Sequence, residues 1–215
     1  MKDFNEVYEY LIKESESWKK KLTKAELHAI RKYTRNSIEE NESPYDEKFY
    51  FKLNDYLRTN DKTKKQLERY SKLISSGIKK FKLKEDLVCY RGTNIDEFYN
   101  VPIGKCTKVL SFTSTTIDVS KTFKGKYSII INVKAKTRCA FLNSVSRYKR
   151  QDELLIDKNA KYKILSRDRN RTFVEVVKWQ PKNLLNMLMS NLTKLRNTKK
   201  LMFIQKKSLK KWKLF

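Results

Sequence analysis

The chain has 215 residues, of which 39% are apolar and 12% aromatic, so it is long enough for a buried core and its composition excludes a disordered protein. Three well-separated cysteines and one histidine argue against a disulfide framework, a CxxC-type zinc site and histidine-dependent catalysis. The net charge of +26 favours a polyanionic partner such as nucleic acid, an anionic membrane or an acidic protein surface. Solubility of a lysine-rich chain is the alternative explanation of this charge.

Residues 1–80 carry the patterns of helices. Apolar residues between positions 4 and 12 recur at helical spacing, and Thr23 with Glu26 forms the capping box that begins a second helix. The segment 43–58 starts with Ser-Pro and two acidic residues, which predicts a third helix that runs to Arg58. A fourth helix is predicted over the leucines and isoleucines of residues 67–78.

After about residue 85 the pattern changes to short apolar or alternating runs, which are typical of strands. The strand candidates are Leu87–Tyr90, Tyr127–Val133, Glu153–Ile156, Tyr162–Leu165 and Thr172–Val177. A helical half (1–80) followed by a β core (86–178) predicts an α+β fold in a single domain over residues 1–180. Residues 181–215 are predicted to form a basic helical tail, with ten Lys and Arg and no acid.

Three short segments of the β half occur in a suggestive order. They are Tyr90-Arg91-Gly92 at a strand end, Phe112-Thr113-Ser114-Thr115-Thr116, and Gln151-Asp152-Glu153 at a strand start. Together they resemble the three-part signature of the arginine–serine–glutamate class of ADP-ribosyltransferases, which includes clostridial Rho-modifying exoenzymes and the enzymatic components of binary toxins. The resemblance covers roughly residues 18–178. It implies a mixed or antiparallel two-sheet NAD-binding core, NAD⁺ as co-substrate and no metal.

Three further segments extend the resemblance. Phe123-Lys124-Gly125-Lys126 resembles the family loop that places an aromatic and a basic residue over the nicotinamide and phosphates. Tyr148 occupies the aromatic position of the family's acceptor-recognition turn, and the segment 53–58 resembles the one that ends in a phosphate-binding arginine. Two residues depart from the signature: Thr116 stands at the place of a serine, and Lys126 at the place of an arginine. Lysine lacks the planar fork of donors with which arginine binds phosphate.

Cleavage of the nicotinamide–ribose bond passes through an oxocarbenium-like state, in which a carboxylate near the sugar 2-hydroxyl stabilises the developing charge. Glu153 is the candidate for this carboxylate. Arg91 and Arg58 are candidates for gripping the pyrophosphate, although a strand-end ion pair and a helix-end arginine are the structural alternatives. Hydroxyl groups of Ser114 and Thr115 are expected to orient the carboxylate or bind the ribose. Phe123 and Lys126 are expected to contact the cofactor.

The acceptor is expected to meet the turn that precedes the catalytic strand. Gln151 lies two residues before Glu153 and should face the same side of a strand. In the family, glutamate at this place accompanies arginine acceptors, whereas glutamine accompanies asparagine in Rho-type proteins or a nucleobase. Tyr148 is flanked by Arg147, Lys149 and Arg150, and an aromatic among cations is typical of a single-stranded nucleic-acid site.

Nucleic acid (RNA or DNA) is therefore the preferred acceptor, and a small GTPase or another protein is the alternative. A non-catalytic nucleic-acid-binding protein would explain the charge but not the ordered segments. The basic tail is expected to extend the positive surface that binds nucleic acid. The alternatives for the tail are contact with a second copy of the chain, contact with an antitoxin or inhibitor protein, and a solvated amphipathic helix. The first residues lack the pattern of a signal peptide, and no apolar run reaches membrane-spanning length, so action in the cytoplasm is expected.

Overall fold

The computed structural model describes residues 4–35, 48–59 and 63–177, without the side chain of Lys149. Within these ranges the helices are α1 (Phe4–Lys19), α2 (Lys24–Tyr33), α3 (Phe49–Thr59) and α4 (Lys65–Lys79). They confirm the helical half. The start predicted for the third helix near residue 43 and the predicted tail 181–215 both lie outside the described residues.

Helix α2 begins with the predicted capping box. The hydroxyl of Thr23 accepts a hydrogen bond from the backbone N–H of Glu26 at 3.2 Å, and the Glu26 carboxylate accepts one from the N–H of Thr23 at 2.8 Å. These two bonds satisfy backbone donors that a helix N-terminus otherwise leaves unpaired. Glu26 also pairs with Lys80 at 2.6 Å, so the same carboxylate joins α2 to the end of α4.

The strands of the described residues are β1 (Leu87–Thr93), β2 (Cys106–Val109), β3 (Thr113–Thr116), β4 (Tyr127–Val133), β5 (Cys139–Phe141), β6 (Glu153–Ile156), β7 (Ala160–Asp168) and β8 (Arg171–Val177). All five strand candidates are present, two of them at the predicted bounds. The strand candidates did not include β2, β3 and β5, which are only three or four residues long and therefore too short for a clear alternation.

The described strands form one mixed sheet in the order β2-β7-β8-β4-β1-β3-β6-β5, so the prediction of two separate sheets needs correction. Strand β1 pairs with β4 along seven residues, but it meets β3 at the single pair Tyr90↔Thr116. Two portions of sheet are thus joined at one residue pair. Beyond Tyr90 the strands β1 and β3 separate, and the cleft described below opens there.

The core lies between the helices and the sheet. Trp18 of α1, Ile30 of α2 and Ile74 of α4 are at most 1% exposed, and so are Ile131 of β4 and Leu155 of β6. The indole N–H of Trp18 donates to the backbone carbonyl of Gly77 at 2.7 Å, which satisfies its one polar group in the core.

None of the helices in the described part of the chain is long and apolar enough to cross a membrane.

Candidate active site

A cleft of about 220 Å³ opens where β1 and β3 separate. Residues of all three signature segments line it, together with two residues of the segment 119–126. The lining residues are Tyr90, Arg91, Gly92, Ser114, Thr115, Thr116, Lys121, Phe123, Gln151 and Glu153. The structure therefore brings together segments that lie far apart in the sequence, as the resemblance implied.

Glu153 is the first residue of β6 and is 8% exposed. Antiparallel pairing of β3 with β6 places Thr116 opposite Glu153, and the Ser114 hydroxyl donates a hydrogen bond of 2.5 Å to Glu153 Oε1. Burial raises the pKa of Glu153, while the Ser114 hydrogen bond and the positive charge of Arg91 oppose this rise. The carboxylate is thus held in one orientation and is poorly solvated, so it interacts strongly with a cation that forms in the cleft.

Arg91 connects the two portions of the sheet at the point where they separate. Its Nη1 donates to the backbone carbonyl of Ser114 at 3.0 Å, and its Nη2 pairs with Glu97 at 2.7 Å. Its guanidinium is therefore engaged within the protein, on one side with the strand that carries Ser114. The strand-end ion pair that the sequence left as an alternative is present, and the contact of Arg91 with a pyrophosphate stays a prediction.

The segment that carries Phe123 crosses close over strand β1. A Cβ atom on Gly92 would lie 1.7 Å from the carbonyl oxygen of Phe123, and one on Gly125 would lie 2.5 Å from the carbonyl oxygen of Thr93. Both positions therefore need glycine because backbone approaches backbone there. The approach leaves the Phe123 side chain 69% exposed at the lining of the cleft, where a planar ring is available for stacking.

Gln151 does not belong to strand β6, contrary to the prediction. It ends a short 3-10 helix (Lys149–Gln151), and the next residue, Asp152, has a left-handed backbone with φ of 45°. The alternation of a strand thus does not relate Gln151 to Glu153. Both side chains nevertheless line the same cleft, because the chain turns at Asp152 before the strand begins.

Asp152 holds this turn in place through buried polar contacts. It is 2% exposed, accepts a hydrogen bond from the Tyr8 hydroxyl at 3.1 Å and forms an ion pair with Lys121. Asn143 Nδ2 donates to the same carboxylate at 3.4 Å. A residue with a disfavoured backbone angle persists when its surroundings determine it in this way. The contacts tie helix α1, the Phe123 segment and the start of strand β6 together.

A second set of contacts supports the signature segment from the helical half. The Tyr33 hydroxyl accepts a hydrogen bond from Asn54 Nδ2 at 2.9 Å, and Asn54 Oδ1 accepts one from the backbone N–H of Phe112 at 3.1 Å. Burial raises the pKa of Tyr33, and the negative charge of Glu153 adds to this rise. Helices α2 and α3 therefore fix the start of β3, and Tyr33 lies within electrostatic range of the Glu153 carboxylate.

Of the remaining predicted residues, Arg58, Lys126, Tyr148 and Arg150 lie outside the cleft lining. Arg58, at the end of α3, and Lys126 are exposed, and the Lys126 ammonium lies 5.4 Å from the ring of Tyr127. Tyr148 is half-buried and Arg150 is exposed. The hydroxyls of Thr115 and Thr116 bind within the protein, to the backbone of Leu154 and of Asp118, whereas Ser114 alone of the three binds Glu153.

Arg147 lies in a neighbouring cavity with Lys19, Arg31 and Arg35. The sequence did not indicate Lys19, Arg31 and Arg35, nor Lys121 in the cleft, because the folding of distant segments brings them there. No local pattern marks them.

Among the described residues, no group of three or more His, Cys, Asp or Glu is arranged to hold a metal ion.

A buried carboxylate oriented by a serine hydroxyl lies near an arginine in the cleft of this mixed sheet, and this arrangement suits the stabilisation of a ribosyl cation. Residues 9–194 match the sequence profile described as ADP-ribosyltransferase exoenzyme, and the chain belongs to this family. The expectation of an ADP-ribosyltransferase that uses NAD⁺ as co-substrate is thereby confirmed.

The chain is 25% identical over 161 residues to NAD(+)–arginine ADP-ribosyltransferase EFV of Enterococcus faecalis, a match that covers 70% of this chain and 31% of that protein. The chain thus spans about a third of the length of this curated relative.

Solved structures of bacterial toxins share the fold. The ADP-ribosyltransferase toxin Plx2a from Paenibacillus larvae superposes with a TM-score of 0.66 at 21% identity, covering 83% of this chain and all of that one. An ADP-ribosyltransferase from Clostridium botulinum gives 0.65 at 17% identity, covering 83% and 98%. The toxin component BECa from Clostridium perfringens, solved with NADH, gives 0.64 at 23% identity, covering 81% and 48%. At these identities the likeness establishes the fold alone.

The contact between Ser114 and Glu153 predicts a measurable pH dependence. Glu153 must be ionised to stabilise positive charge, so nicotinamide release should fall as the pH is lowered through its raised pKa. Ser114→Ala removes a hydrogen bond that lowers this pKa, and we expect the acidic limb of the pH–rate curve to move to higher pH. The measurement is kcat/KM for nicotinamide release across the acidic and neutral range. A limb at the same pH in both proteins would contradict the assignment of this limb to Glu153.

Proposed function

We propose that the chain is a mono-ADP-ribosyltransferase of the arginine–serine–glutamate class and that its acceptor is a base of single-stranded RNA or DNA. One observation carries the choice of acceptor. Gln151 lines the cleft beside Glu153, and the turn that leads to it presents the exposed cations Arg147 and Arg150 around the half-buried Tyr148. Cations that attract phosphates, next to an aromatic that stacks on a base, suit a single strand.

The proposed reaction breaks the bond between nicotinamide and the ribose carbon, and the electron pair of that bond leaves with nicotinamide. Glu153, oriented by Ser114 at 2.5 Å, stabilises the positive charge that develops on the ribose. A nitrogen or oxygen of the acceptor then bonds to the same carbon and loses a proton. Phe123, at the lining of the cleft, stacks on nicotinamide, and Gln151 positions the acceptor by hydrogen bonding.

The charge distribution supports this acceptor. Residues 81–215 contain 31 basic and 10 acidic side chains, compared with 19 and 14 in residues 1–80. The half that carries the cleft therefore carries most of the positive charge, and such a field raises the local concentration of a polyanion and its rate of association.

We propose that the protein acts inside a cell.

A protein side chain is the second candidate acceptor, and the Gln-x-Glu arrangement of residues 151–153 favours it. In the arginine–serine–glutamate class that this pattern resembles, glutamine at this place accompanies asparagine acceptors in Rho-type GTPases. The relative from Enterococcus faecalis is named for transfer to arginine. Gln151 disfavours that acceptor here, because an amide cannot accept the proton of a guanidinium as a carboxylate does.

Changes in the acceptor turn should separate transfer from NAD⁺ hydrolysis. In the variant Arg147→Ala/Arg150→Ala we expect transfer to RNA or DNA to fall at least tenfold, with nicotinamide release into water unchanged, because water needs no docking surface. The salt dependence of single-strand binding should also flatten, by roughly 0.7 in log–log slope for each lost phosphate contact. Both quantities are measured on the same protein preparation with labelled oligonucleotide.

The matched control is Lys161→Ala/Lys163→Ala, which removes two cations from strand β7 outside the cleft lining. Its transfer activity should stay within twofold of the parent protein. If the turn variant lost hydrolysis and transfer to the same extent, the turn would serve NAD⁺ cleavage rather than the acceptor.

A further inference from the structure

A second cavity, of about 300 Å³, lies beside the acceptor turn. Helix α1 contributes its last residue, Lys19. Helix α2 contributes Arg31, and Arg35 follows that helix. Ser146 and Arg147 come from the segment that enters the acceptor turn. Among the described residues that line it, four are cationic and none is acidic. A concave surface lined by one sign of charge concentrates ions of the opposite sign, so the cavity is suited to an anion.

The arginines of this cavity are arranged for an oxyanion. Arg31 lies in the last turn of α2, and Arg35 follows the helix, which ends at Tyr33. Both residues line the same cavity. The planar guanidinium fork binds two oxygens of a phosphate at once. Arg31 and Arg35 line the cavity together with Arg147 and Lys19, and these four residues come from three separate parts of the fold.

Ser146 adds a buried neutral donor. It is 6% exposed and lines the cavity, and its hydroxyl accepts a hydrogen bond from the backbone N–H of Tyr148 at 3.0 Å. Within the described ranges, its O–H donates to no acceptor. The neighbouring Ser144 differs, since its hydroxyl donates to the backbone carbonyl of Ser15 at 2.9 Å. Ser146 therefore offers a proton to a ligand oxygen and also fixes the backbone of Tyr148.

We propose that this cavity is a phosphate-binding site that holds one backbone phosphate of the acceptor strand, while the target base lies next to Gln151 in the cleft. The inference rests on the proposed function, because it assigns the strand to the same acceptor turn. Only residues 148–150 lie in the sequence between Arg147, which lines the cavity, and Gln151, which lines the cleft. The turn thus connects a site that grips phosphate with the site where the base is modified. Phosphate contacts of this kind position a strand without selecting its sequence.

Replacing Arg31 and Arg35 together tests the site. In Arg31→Gln/Arg35→Gln we expect the dissociation constant for a mixed-sequence single-stranded oligonucleotide to rise at least tenfold and its salt dependence to flatten. Nicotinamide release from NAD⁺ in the absence of acceptor should stay unchanged. The control Arg69→Gln/Arg169→Gln removes the same charge from two exposed arginines outside the cavity, and we expect less than a threefold change.

The variant Arg31→Lys/Arg35→Lys keeps the charge and removes the forks. It should bind the oligonucleotide more weakly than the parent and more tightly than the glutamine variant. Equal losses in the cavity and control variants would overturn the site and leave the proposed function intact, since a general field would then explain binding. ADP-ribose found on protein, in an amount that depends on Arg31 and Arg35, would overturn the nucleic-acid occupant.

Inorganic phosphate separates the site from the identity of the acceptor. It should raise the melting temperature of the parent protein and raise that of Arg31→Gln/Arg35→Gln much less. Stabilisation of the parent alone, with no nucleic acid modified, would support the cavity as a phosphate site and refute the proposed acceptor. Equal stabilisation of both proteins would refute the site.

Discussion

Glu153→Gln should lower nicotinamide release and ADP-ribose transfer together, by about 10²–10³-fold, which is the usual effect of losing one preorganised electrostatic group. The amide keeps the shape of the side chain and still accepts a hydrogen bond from Ser114, which lies 2.5 Å from the carboxylate. It lacks the negative charge that stabilises the oxocarbenium-like state. The loss should therefore appear in kcat, with the dissociation constant for NAD⁺ within about threefold of the parent value.

Stability provides an internal control for this variant. Because burial raises the pKa of Glu153, a proton binds more tightly to the folded than to the unfolded chain, and this carboxylate costs stability as the pH rises through its folded pKa. Glutamine carries no charge at neutral pH, so the melting temperature at pH 7 should not fall. Glu16→Gln, on an exposed position of α1, should retain full activity. Wild-type nicotinamide release by Glu153→Gln would refute the catalytic assignment.

Gly92→Ala should produce a loss of similar size for a steric reason. The added Cβ would lie 1.7 Å from the carbonyl oxygen of Phe123, and no side-chain rotation relieves a clash with backbone. The segment must move away from β1 and take Phe123 out of the cleft. A displacement of about 1 Å at a catalytic site costs on the order of 10²-fold in rate, and we expect at least this loss in kcat/KM for nicotinamide release.

Val88→Ala is the matched control, because it changes an exposed side chain (39%) on the same strand without a clash. It should leave NAD⁺ cleavage unchanged. Full activity of Gly92→Ala would mean that the position of the Phe123 segment does not matter for cleavage. The role of Phe123 in stacking would then have to be abandoned.

Ordered motifs made the helical half, the longer strands and the three cleft segments predictable. Thr113–Thr116 and Glu153–Ile156 pair in antiparallel register, and this pairing brings Ser114 to Glu153 although they are 39 positions apart in the chain. The resemblance of the three ordered segments to the family signature thus selected residues that share a cleft. Whether Arg91 contacts NAD⁺ stays a prediction, since the structure describes its contacts with Ser114 and Glu97.

Other features depended on contacts that no local pattern encodes. The residue Asp152 interrupts the strand before Glu153 because its buried carboxylate is held by Tyr8 and Lys121, which come from distant parts of the chain. The prediction therefore placed Gln151 on the strand of Glu153, whereas Gln151 ends the 3-10 helix that precedes this strand. The union of two sheet portions through Tyr90↔Thr116 likewise rests on a single residue pair, and a single pair leaves no periodic signal in the sequence.

The most direct test of the account uses NAD⁺ labelled in its adenylate half, incubated with the parent protein, Glu153→Gln and total cellular RNA, DNA and protein in parallel. With the parent protein, we expect label in RNA or DNA that is released by nuclease and resists protease. Glu153→Gln should give no label above background in any fraction. Label confined to the protein fraction, and lost on protease treatment, would contradict the proposed acceptor and establish the second candidate. Equal label with Glu153→Gln would contradict the proposed chemistry itself.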